Sequence, residues 1–257
     1  MILTVDIGNS TTKFGLFDGP RLTDRFSIHT KPDYEAAELM SDRLQFLETR
    51  IGRVNSVMAA SVVPELNEIL TEACNRIFKV TPTFVDHKTD TGMKIAYQTP
   101  ETLGGDRIVT AAAAAQKYGA PCVVCGFGTA TTIDAVGTGP VFLGGAIAPG
   151  MGIMAEALRS NTAKLPAIRI GKPEAAIGRT TDDAIRSGIF WGNLGMVEAL
   201  VQRVKKELTA EGTAADEIKV VATGGFSRMI LPELPIIGIL DENLTLEGLR
   251  MAGERLT

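Results

Sequence analysis

The sequence predicts an α/β protein built from two similar lobes, and three observations support this fold class. Stretches rich in β-forming residues alternate with stretches of helical periodicity along the 257 residues. The pattern of the N-terminal segment returns about 120 residues later, which indicates a duplicated unit rather than a solenoid with its shorter repeats. The length and the 45% of hydrophobic residues suffice for a large core in one or two domains.

The first half begins with a strand, a tight glycine turn and a second strand in "ILTVDIGNSTTKFGLFDG". Gly8 interrupts the β-forming run, and Asp18-Gly19 is typical of a hairpin turn into a third strand. Pro64 suits the first position of a helix. The further predicted elements are a helix over Tyr34–Ile51, a buried strand in "VNSVMAASVV", a helix in "PELNEILTEACNRIF", and a helix that follows "LGG" and ends at Gly119.

The second half repeats this pattern when residue i is placed beside residue i+120. The segment "VDIGNSTTKFGLFDG" then lies beside "CGFGTATTIDAVGTG", and the matched pairs are Gly8–Gly128, Thr11–Thr131 and Thr12–Thr132. The elements predicted to follow are helices over Met151–Asn161 and Thr181–Leu208, a strand in "IKVVAT" and a last helix over Leu246–Arg255. The two predicted lobes are residues 1–117 and 118–257.

Composition and charge argue against several classes of protein. The net charge is −4 and no run rich in Lys and Arg occurs, so we expect no nucleic-acid partner. No apolar run approaches about 18 residues and the N-terminus does not resemble a signal peptide, so we expect no membrane association and a cytoplasmic location. Cys122 and Cys125 could form a redox pair or half a zinc site, but the strand-like run around them favours two buried apolar side chains.

The first glycine turn contains residue types that suit a phosphate-binding loop. Gly8 lets the backbone approach an anion with its N–H groups, and the short side chains from Asn9 to Thr12 add hydrogen-bond donors. Asp6, at the end of the first strand, could hold a hydrated Mg²⁺ beside the phosphates. A hairpin turn that is simply rich in turn residues is the alternative. The similar turn in "GFGTATT" favours two turns, one from each lobe, that bind one polyphosphate.

A second candidate site lies in "YQTPETLGGDRIVTAAA", where two glycines precede Asp106 and Arg107 at a helix start. The carboxylate could take a proton from an attacking hydroxyl, and Arg107 could bind a substrate carboxylate or phosphate. A helix cap at Asp106 and a surface ion pair at Arg107 are the alternative, which the residue types alone favour. Two more glycine segments, "VVATGGFS" and "GGAIAPGMGIM", suit either the close approach of a ligand or ordinary turns.

In this order and spacing the motifs resemble those of the type III pantothenate kinases, a family of the actin-like ATPase superfamily. The resemblance covers essentially the whole chain: "LGGDR" and "GTATTID" are specific to the family, whereas "DIGN" is shared across the superfamily. It implies a duplicated actin-like (ribonuclease H-like) α/β fold of two lobes with an ATP cleft between them. The implied activity is transfer of the γ-phosphate of ATP to the primary hydroxyl of pantothenate, the first step of coenzyme A biosynthesis.

The same resemblance implies roles for individual residues. Asp106 would be the general base, and Asp6 would lie near Mg²⁺. Thr181 would reach pantothenate from the partner subunit of a homodimer, which completes the substrate site across the interface. The other implied contacts are with ATP at Asp6, Ile7, Gly8, Asn9, Ser10, Thr11, Thr12, Lys13 and Thr129, and with pantothenate at Tyr97, Gly104, Gly105, Asp106 and Arg107.

Gly126 departs from the pattern that this resemblance implies. The repeat sets it beside Asp6, and the family has an aspartate there that helps to hold a monovalent cation, K⁺ or NH₄⁺. Glycine has no side chain to bind a cation, and Cys125 is a poor ligand for a hard one. Three hypotheses follow: a kinase that needs no cation or holds it through carbonyls, a weakened or altered kinase, and a nucleotide-binding regulatory protein. Because the carboxylates at Asp6 and Asp106 remain, retained kinase activity is favoured.

Overall fold

The computed structural model describes residues 1–30, 40–46, 48, 53–162, 165–210, 212 and 214–256. Its internal contacts divide the chain into two compact units. The first unit consists of residues 1–113 together with residues 243–257, and the second of residues 114–242.

The C-terminal segment is the main difference between these units and the predicted lobes. The prediction placed residues 243–257 in the second lobe, whereas the structure packs them with the first unit. Leu249 and Ala252 share a buried cluster with Met58 and Val109. The apolar face of the last helix, rather than its place in the sequence, therefore decides which unit it joins.

The elements of the structure follow the predicted alternation of strands and helices. A helical segment at residues 40–46 (α1) is part of the predicted helix over Tyr34–Ile51, whose other residues apart from 48 lie outside the described part. None of the described helices is both long and apolar enough to cross a membrane. The remaining bounds are β1 Ile2–Ile7, β2 Thr11–Asp18, β3 Arg21–His29, β4 Ser56–Ser61, α2 Glu65–Ile77, β5 Thr83–Phe84, β6 Lys94–Ile95, α3 Gly105–Tyr118, β7 Cys122–Phe127, β8 Ala130–Gly137, β9 Val141–Pro149, α4 Met151–Ser160, α5 Thr181–Ala210, β10 Lys219–Thr223, α6 Ser227–Ile230, β11 Ile239–Leu240 and α7 Leu244–Arg255.

The two units share one sheet topology, which confirms the predicted duplication. The strands of the first unit run in the order β3-β2-β1-β4-β5, and those of the second in the order β9-β8-β7-β10-β11. In each unit the first three strands are antiparallel neighbours, and the next two extend the sheet in parallel from the first strand. Even the irregularity is repeated, since the pairing of the second strand with the third shifts register between Leu16 and Phe17 and again between Ala135 and Val136.

The glycine turns of the two units differ in length by one residue. Ile7 pairs with Thr12 across the first turn, whereas Phe127 pairs with Thr131 across the second. The second strand of the repeat is therefore displaced by one residue from the i+120 alignment, because its turn is shorter. The predicted matches on this strand are wrong by one residue at the pairs Thr11–Thr131 and Thr12–Thr132.

The cysteines are structural, as the sequence favoured. Cys122 and Cys125 lie fully buried on β7, and Cys74 is buried on α2; all three are free thiols. Burial raises the pKa of the Cys74 and Cys122 thiols to about 12, so both stay protonated at neutral pH. A protonated, buried thiol has none of the reactivity of a redox pair or a zinc ligand.

Candidate active site

The first glycine turn is closed by backbone hydrogen bonds. The Gly8 N–H donates to the Thr11 carbonyl at 3.2 Å, and the Thr30 N–H at the end of β3 donates to the Ser10 carbonyl at 3.1 Å. The Thr12 and Thr30 hydroxyls share a further hydrogen bond of 2.9 Å. The sequence analysis missed Thr30, since only the β2–β3 register brings it beside this turn.

Asp6 is a buried carboxylate at the end of β1, with 8% of its surface exposed. It lies opposite Lys13 of β2, and the distance from Lys13 Nζ to Asp6 Oδ2 is 3.4 Å. Burial raises the pKa of Asp6; the positive charge of Lys13 opposes this, and the negative charge of Asp106 adds to it. The three ionisable side chains therefore form one electrostatic group within the first unit.

The two glycines of "LGGDR" make close approaches at the start of α3, Gly104 to the Asp106 side chain and Gly105 to the backbone of Val85. A Cβ atom on Gly104 would lie 2.4 Å from Asp106 Oδ1, so the Asp106 carboxylate rests against the bare backbone of Gly104. A Cβ atom on Gly105 would lie 2.2 Å from the backbone oxygen of Val85, just beyond β5. Asp106 is the second residue of α3 and not the residue before the helix, which argues against a role as its N-cap.

Replacing Gly104 by alanine is expected to lower turnover about 10- to 100-fold with little loss of stability. The added methyl group must push the Asp106 carboxylate aside, and a misplacement of about 1 Å can cost about 10²-fold in rate. Steady-state kinetics together with the melting temperature would measure both effects. The control is Gly238→Ala, an exposed glycine whose added Cβ meets nothing within 4 Å. Equal rates for the two variants would contradict the steric role of Gly104.

The second turn has a neutral pair where the first has a charged one. Because of the shorter turn, Gly126 and Thr132 face each other across β7 and β8 as Asp6 and Lys13 do across β1 and β2. A Cβ atom on Gly126 would lie 2.5 Å from Thr132 Oγ1. This turn therefore offers a hydroxyl and backbone carbonyls, but no carboxylate at its strand end.

Of the two ions that the resemblance implies, the residues at the two turns fit Mg²⁺ but not K⁺. Asp6 fits Mg²⁺, because a carboxylate beside a phosphate turn suits a hydrated cation. The pair Gly126–Thr132 does not fit a charge-balanced site for K⁺, and burial keeps the neighbouring Cys125 thiol neutral by raising its pKa. Among the residues that the structure describes, no three His, Cys, Asp or Glu side chains come together as a metal site.

The second turn is supported by two elements that follow it in sequence. Gly150, at the end of β9, donates its N–H to the Thr129 carbonyl at 3.1 Å, and a Cβ atom there would lie 2.4 Å from that oxygen. The buried Asn193 of α5 donates its side-chain amide to Thr131 Oγ1 at 3.3 Å. The segment "GGAIAPGMGIM" thus has a structural role at this turn. Asn193 was missed, because nothing in its local sequence marks it.

The Gly-Gly of "VVATGGFS" also has a structural explanation. Gly224 has a φ of +100°, which favours glycine, and its Cα lies against the backbone of Phe127. A Cβ atom there would lie 2.5 Å from the Phe127 carbonyl oxygen. The close approach at Gly224 is therefore to the strand that carries the second turn.

The predicted site residues differ in their exposure and are found in both units. Asn9 and Ser10 are exposed at the first turn, and Ile7 is buried behind it. Thr181 is exposed as the first residue of α5 in the second unit. The half-buried predicted residues are Gly8, Thr11, Lys13, Tyr97, Gly104, Asp106 and Arg107 in the first unit and Gly126 and Thr129 in the second. The electrostatic group of Asp6, Lys13 and Asp106 is thus confined to the first unit.

Known structures share the fold of this chain at low sequence identity. A Campylobacter jejuni protein assigned to the Baf family of transcriptional activators superposes with a TM-score of 0.60 at 22% identity, covering 99% of this chain and 98% of that one. The ethanolamine utilization protein EutJ from Carboxydothermus hydrogenoformans gives a TM-score of 0.53 at 14% identity, covering 98% of this chain and 89% of that one. The shared fold is a duplicated α/β fold, as predicted.

Sequence comparisons identify the family of the chain as well as its fold. The family model for type III pantothenate kinase matches residues 2–203. The type III pantothenate kinase of Brevibacillus brevis is 40% identical over 99% of both chains, and that of Bacillus cytotoxicus is 38% identical over 99% of this chain and 96% of its own. The chain therefore belongs to the type III pantothenate kinase family.

Proposed function

We infer that this chain transfers the γ-phosphate of ATP to the primary hydroxyl of pantothenate, the first step of coenzyme A biosynthesis. The carrying observation is the pair Asp6 and Asp106 beside a glycine turn, where the negative charge of Asp106 adds to burial in raising the pKa of Asp6. The two substrates, ATP and pantothenate, are inferred from membership of the type III pantothenate kinase family. Phosphoryl transfer requires positioning and charge neutralisation, and this arrangement suits both.

Asp106 takes the proton of the pantothenate hydroxyl as that oxygen forms its bond to the γ-phosphorus. The bond from the γ-phosphorus to the bridging oxygen breaks, and ADP leaves with the electron pair. Asp6 holds the hydrated Mg²⁺, which supplies charge neutralisation when bound. We assign the ATP phosphates to residues 6–13 and Thr129, and pantothenate to Tyr97, Gly104, Gly105, Asp106 and Arg107, with Arg107 near its carboxylate.

We further propose a homodimer in which Thr181 reaches the partner's pantothenate. The second unit exposes several large apolar side chains on β9, on α4 and on the segment before α5, and their removal from water by a partner would favour association. These side chains are Ile147, Ile153, Leu158 and Ile177. A reducing cytoplasm suits the three free, buried thiols.

The neutral pair at the second turn leads us to propose that turnover does not require a monovalent cation. ADP release would be followed with ATP, Mg²⁺ and pantothenate, in K⁺ and in buffer free of K⁺ and NH₄⁺. The variants are Gly126→Asp, which adds the carboxylate, and Gly126→Ala, which adds only the Cβ and displaces the Thr132 hydroxyl equally. We expect equal rates in both buffers for the unmodified chain, and K⁺ stimulation only in Gly126→Asp.

Each other outcome favours a different hypothesis. Stimulation of the unmodified chain by K⁺ would indicate a cation held by Thr132 and backbone carbonyls. Activity found only in Gly126→Asp would mean that Gly126 disables an otherwise complete site. If none of the three proteins releases ADP, the kinase hypothesis is rejected. The result would then favour the alternative hypothesis, a regulatory protein that binds nucleotide without turnover.

A further inference from the structure

The C-terminal helix α7 is in direct backbone contact with α3, the helix that carries Asp106. A Cβ atom on Gly248 of α7 would lie only 2.1 Å from the backbone oxygen of Val109. A glycine at this point lets the two helices approach more closely than any side chain would allow. Leu249 packs fully buried beside this contact, so the position of α3 depends on α7.

A chain of hydroxyl groups runs from α7 to the backbone of Asp106. The Thr110 hydroxyl donates to the Asp106 carbonyl at 2.6 Å, and the Thr110 and Thr245 oxygens are 2.9 Å apart. A hydroxyl has one proton to donate, and the carbonyl takes that of Thr110. Thr245 must therefore be the donor to Thr110, which fixes the direction of the chain from α7 to Asp106.

The bond from Thr110 to Asp106 alone is common, since a threonine in a helix often bonds the carbonyl four residues before it. The bond from Thr245 is not local, because 135 residues separate the two threonines. It fixes the Thr110 side chain in the rotamer that holds the first turn of α3. At the start of the same helix, Gly105 lies against Val85, and Gly104 lies against the Asp106 carboxylate.

We propose that Thr245 and Thr110 are positioning residues for phosphoryl transfer, acting through the backbone of Asp106. This inference rests on the proposed role of Asp106 as the base. Neither threonine touches substrate in this proposal. They fix the first turn of α3, and this keeps the Asp106 carboxylate in its position against the glycines that precede it.

The test is a mutant cycle measured as kcat and as KM for ATP and pantothenate. Thr110→Val removes both hydrogen bonds and is expected to lower kcat about tenfold, within the range for a misplaced catalytic group. Thr245→Val should lower kcat about threefold, and the double variant should equal Thr110→Val alone. KM for ATP should stay within about twofold, and Thr110→Ser and Thr245→Ser should keep the rate because they keep the hydroxyls.

Two comparisons separate positioning from general stability. Leu246→Val, which trims a buried side chain on the same helix, should lower the melting temperature without changing kcat. In an Asp106→Asn background, Thr110→Val should lower the residual rate no further. If Asp106→Asn shows its expected large loss of rate, then a normal kcat in Thr110→Val, or equal losses in Leu246→Val, would overturn this inference. A fully active Asp106→Asn would instead reject the proposed base, and this inference with it.

Discussion

Replacing Asp106 by asparagine is expected to lower pantothenate-dependent turnover by about 10²- to 10⁴-fold, the range for loss of a general base. Asparagine keeps the shape of the side chain, so it can still lie against Gly104, but it cannot accept the proton of the hydroxyl. ADP release measures the rate, and calorimetry with a non-hydrolysable ATP analogue measures nucleotide affinity. We expect that affinity to stay within about twofold, because the base acts on the acceptor.

A matched control removes a carboxylate of the same unit away from the site. Asp18→Asn, at the exposed end of β2, changes the net charge equally and should keep the full rate. A full rate in Asp106→Asn would show that another group, or no group, accepts the proton. Lost nucleotide binding in Asp106→Asn would instead assign the residue to the ATP site.

Replacing Asp6 by asparagine is expected to stabilise the ligand-free protein and to lower its turnover strongly. Burial raises the pKa of Asp6, so the folded state favours the protonated acid. The stability linked to this group is complete below the ordinary pKa near 3.8 and is lost as the pH rises through the raised value. At neutral pH the ionised side chain therefore costs folding free energy, which a neutral asparagine does not.

The expected rise in Tm near pH 8 is a few degrees, since 1 kcal/mol corresponds to about 2–4 °C in a chain of roughly this size. The difference between the variant and the unmodified chain should shrink as the pH falls through the raised pKa. Turnover should fall about 10²-fold or more, because the carboxylate assigned to Mg²⁺ is gone. Thermal melts at several pH values without Mg²⁺ or nucleotide would measure the stability difference.

Lys13→Met is the informative companion to Asp6→Asn. It removes the positive charge that lowers the pKa of Asp6, so it should destabilise the ligand-free protein at neutral pH. Asp18→Asn serves again as the control for the change in net charge that Asp6→Asn makes. If the Tm of Asp6→Asn near pH 8 is lower than that of the unmodified chain, the buried charge of Asp6 does not destabilise the fold and this prediction is wrong.

Such a cost is common where a buried charge serves chemistry rather than folding. The ion pair with Lys13 is long, and about a third of the Lys13 side chain is exposed to solvent. Solvent screening therefore reduces how far Lys13 offsets the cost of the buried Asp6 charge. A phosphate-bound cation would supply the missing countercharge. We therefore expect Mg²⁺ with nucleotide to raise the Tm of the unmodified chain more than that of Asp6→Asn.

Much of the fold could be predicted because its signals are local. The period of apolar residues placed the strands and helices, and glycine with short polar residues marked both turns. The strand-like run around Cys122 and Cys125 led to the correct choice between a buried strand and a redox site. The duplication was evident from the recurring pattern, and the shared sheet order confirmed it.

The sequence by itself determined the element types, the duplication and the family, because each of these is written in short stretches of the chain. Only the tertiary structure decided which unit holds α7, how the shorter turn sets Thr132 opposite Gly126, and how the Asp106 carboxylate lies against Gly104. These features depend on contacts between residues distant in sequence, such as Thr110 and Thr245. The spacing of apolar residues along the chain does not predict such contacts, because they form only when the apolar faces of different elements pack together.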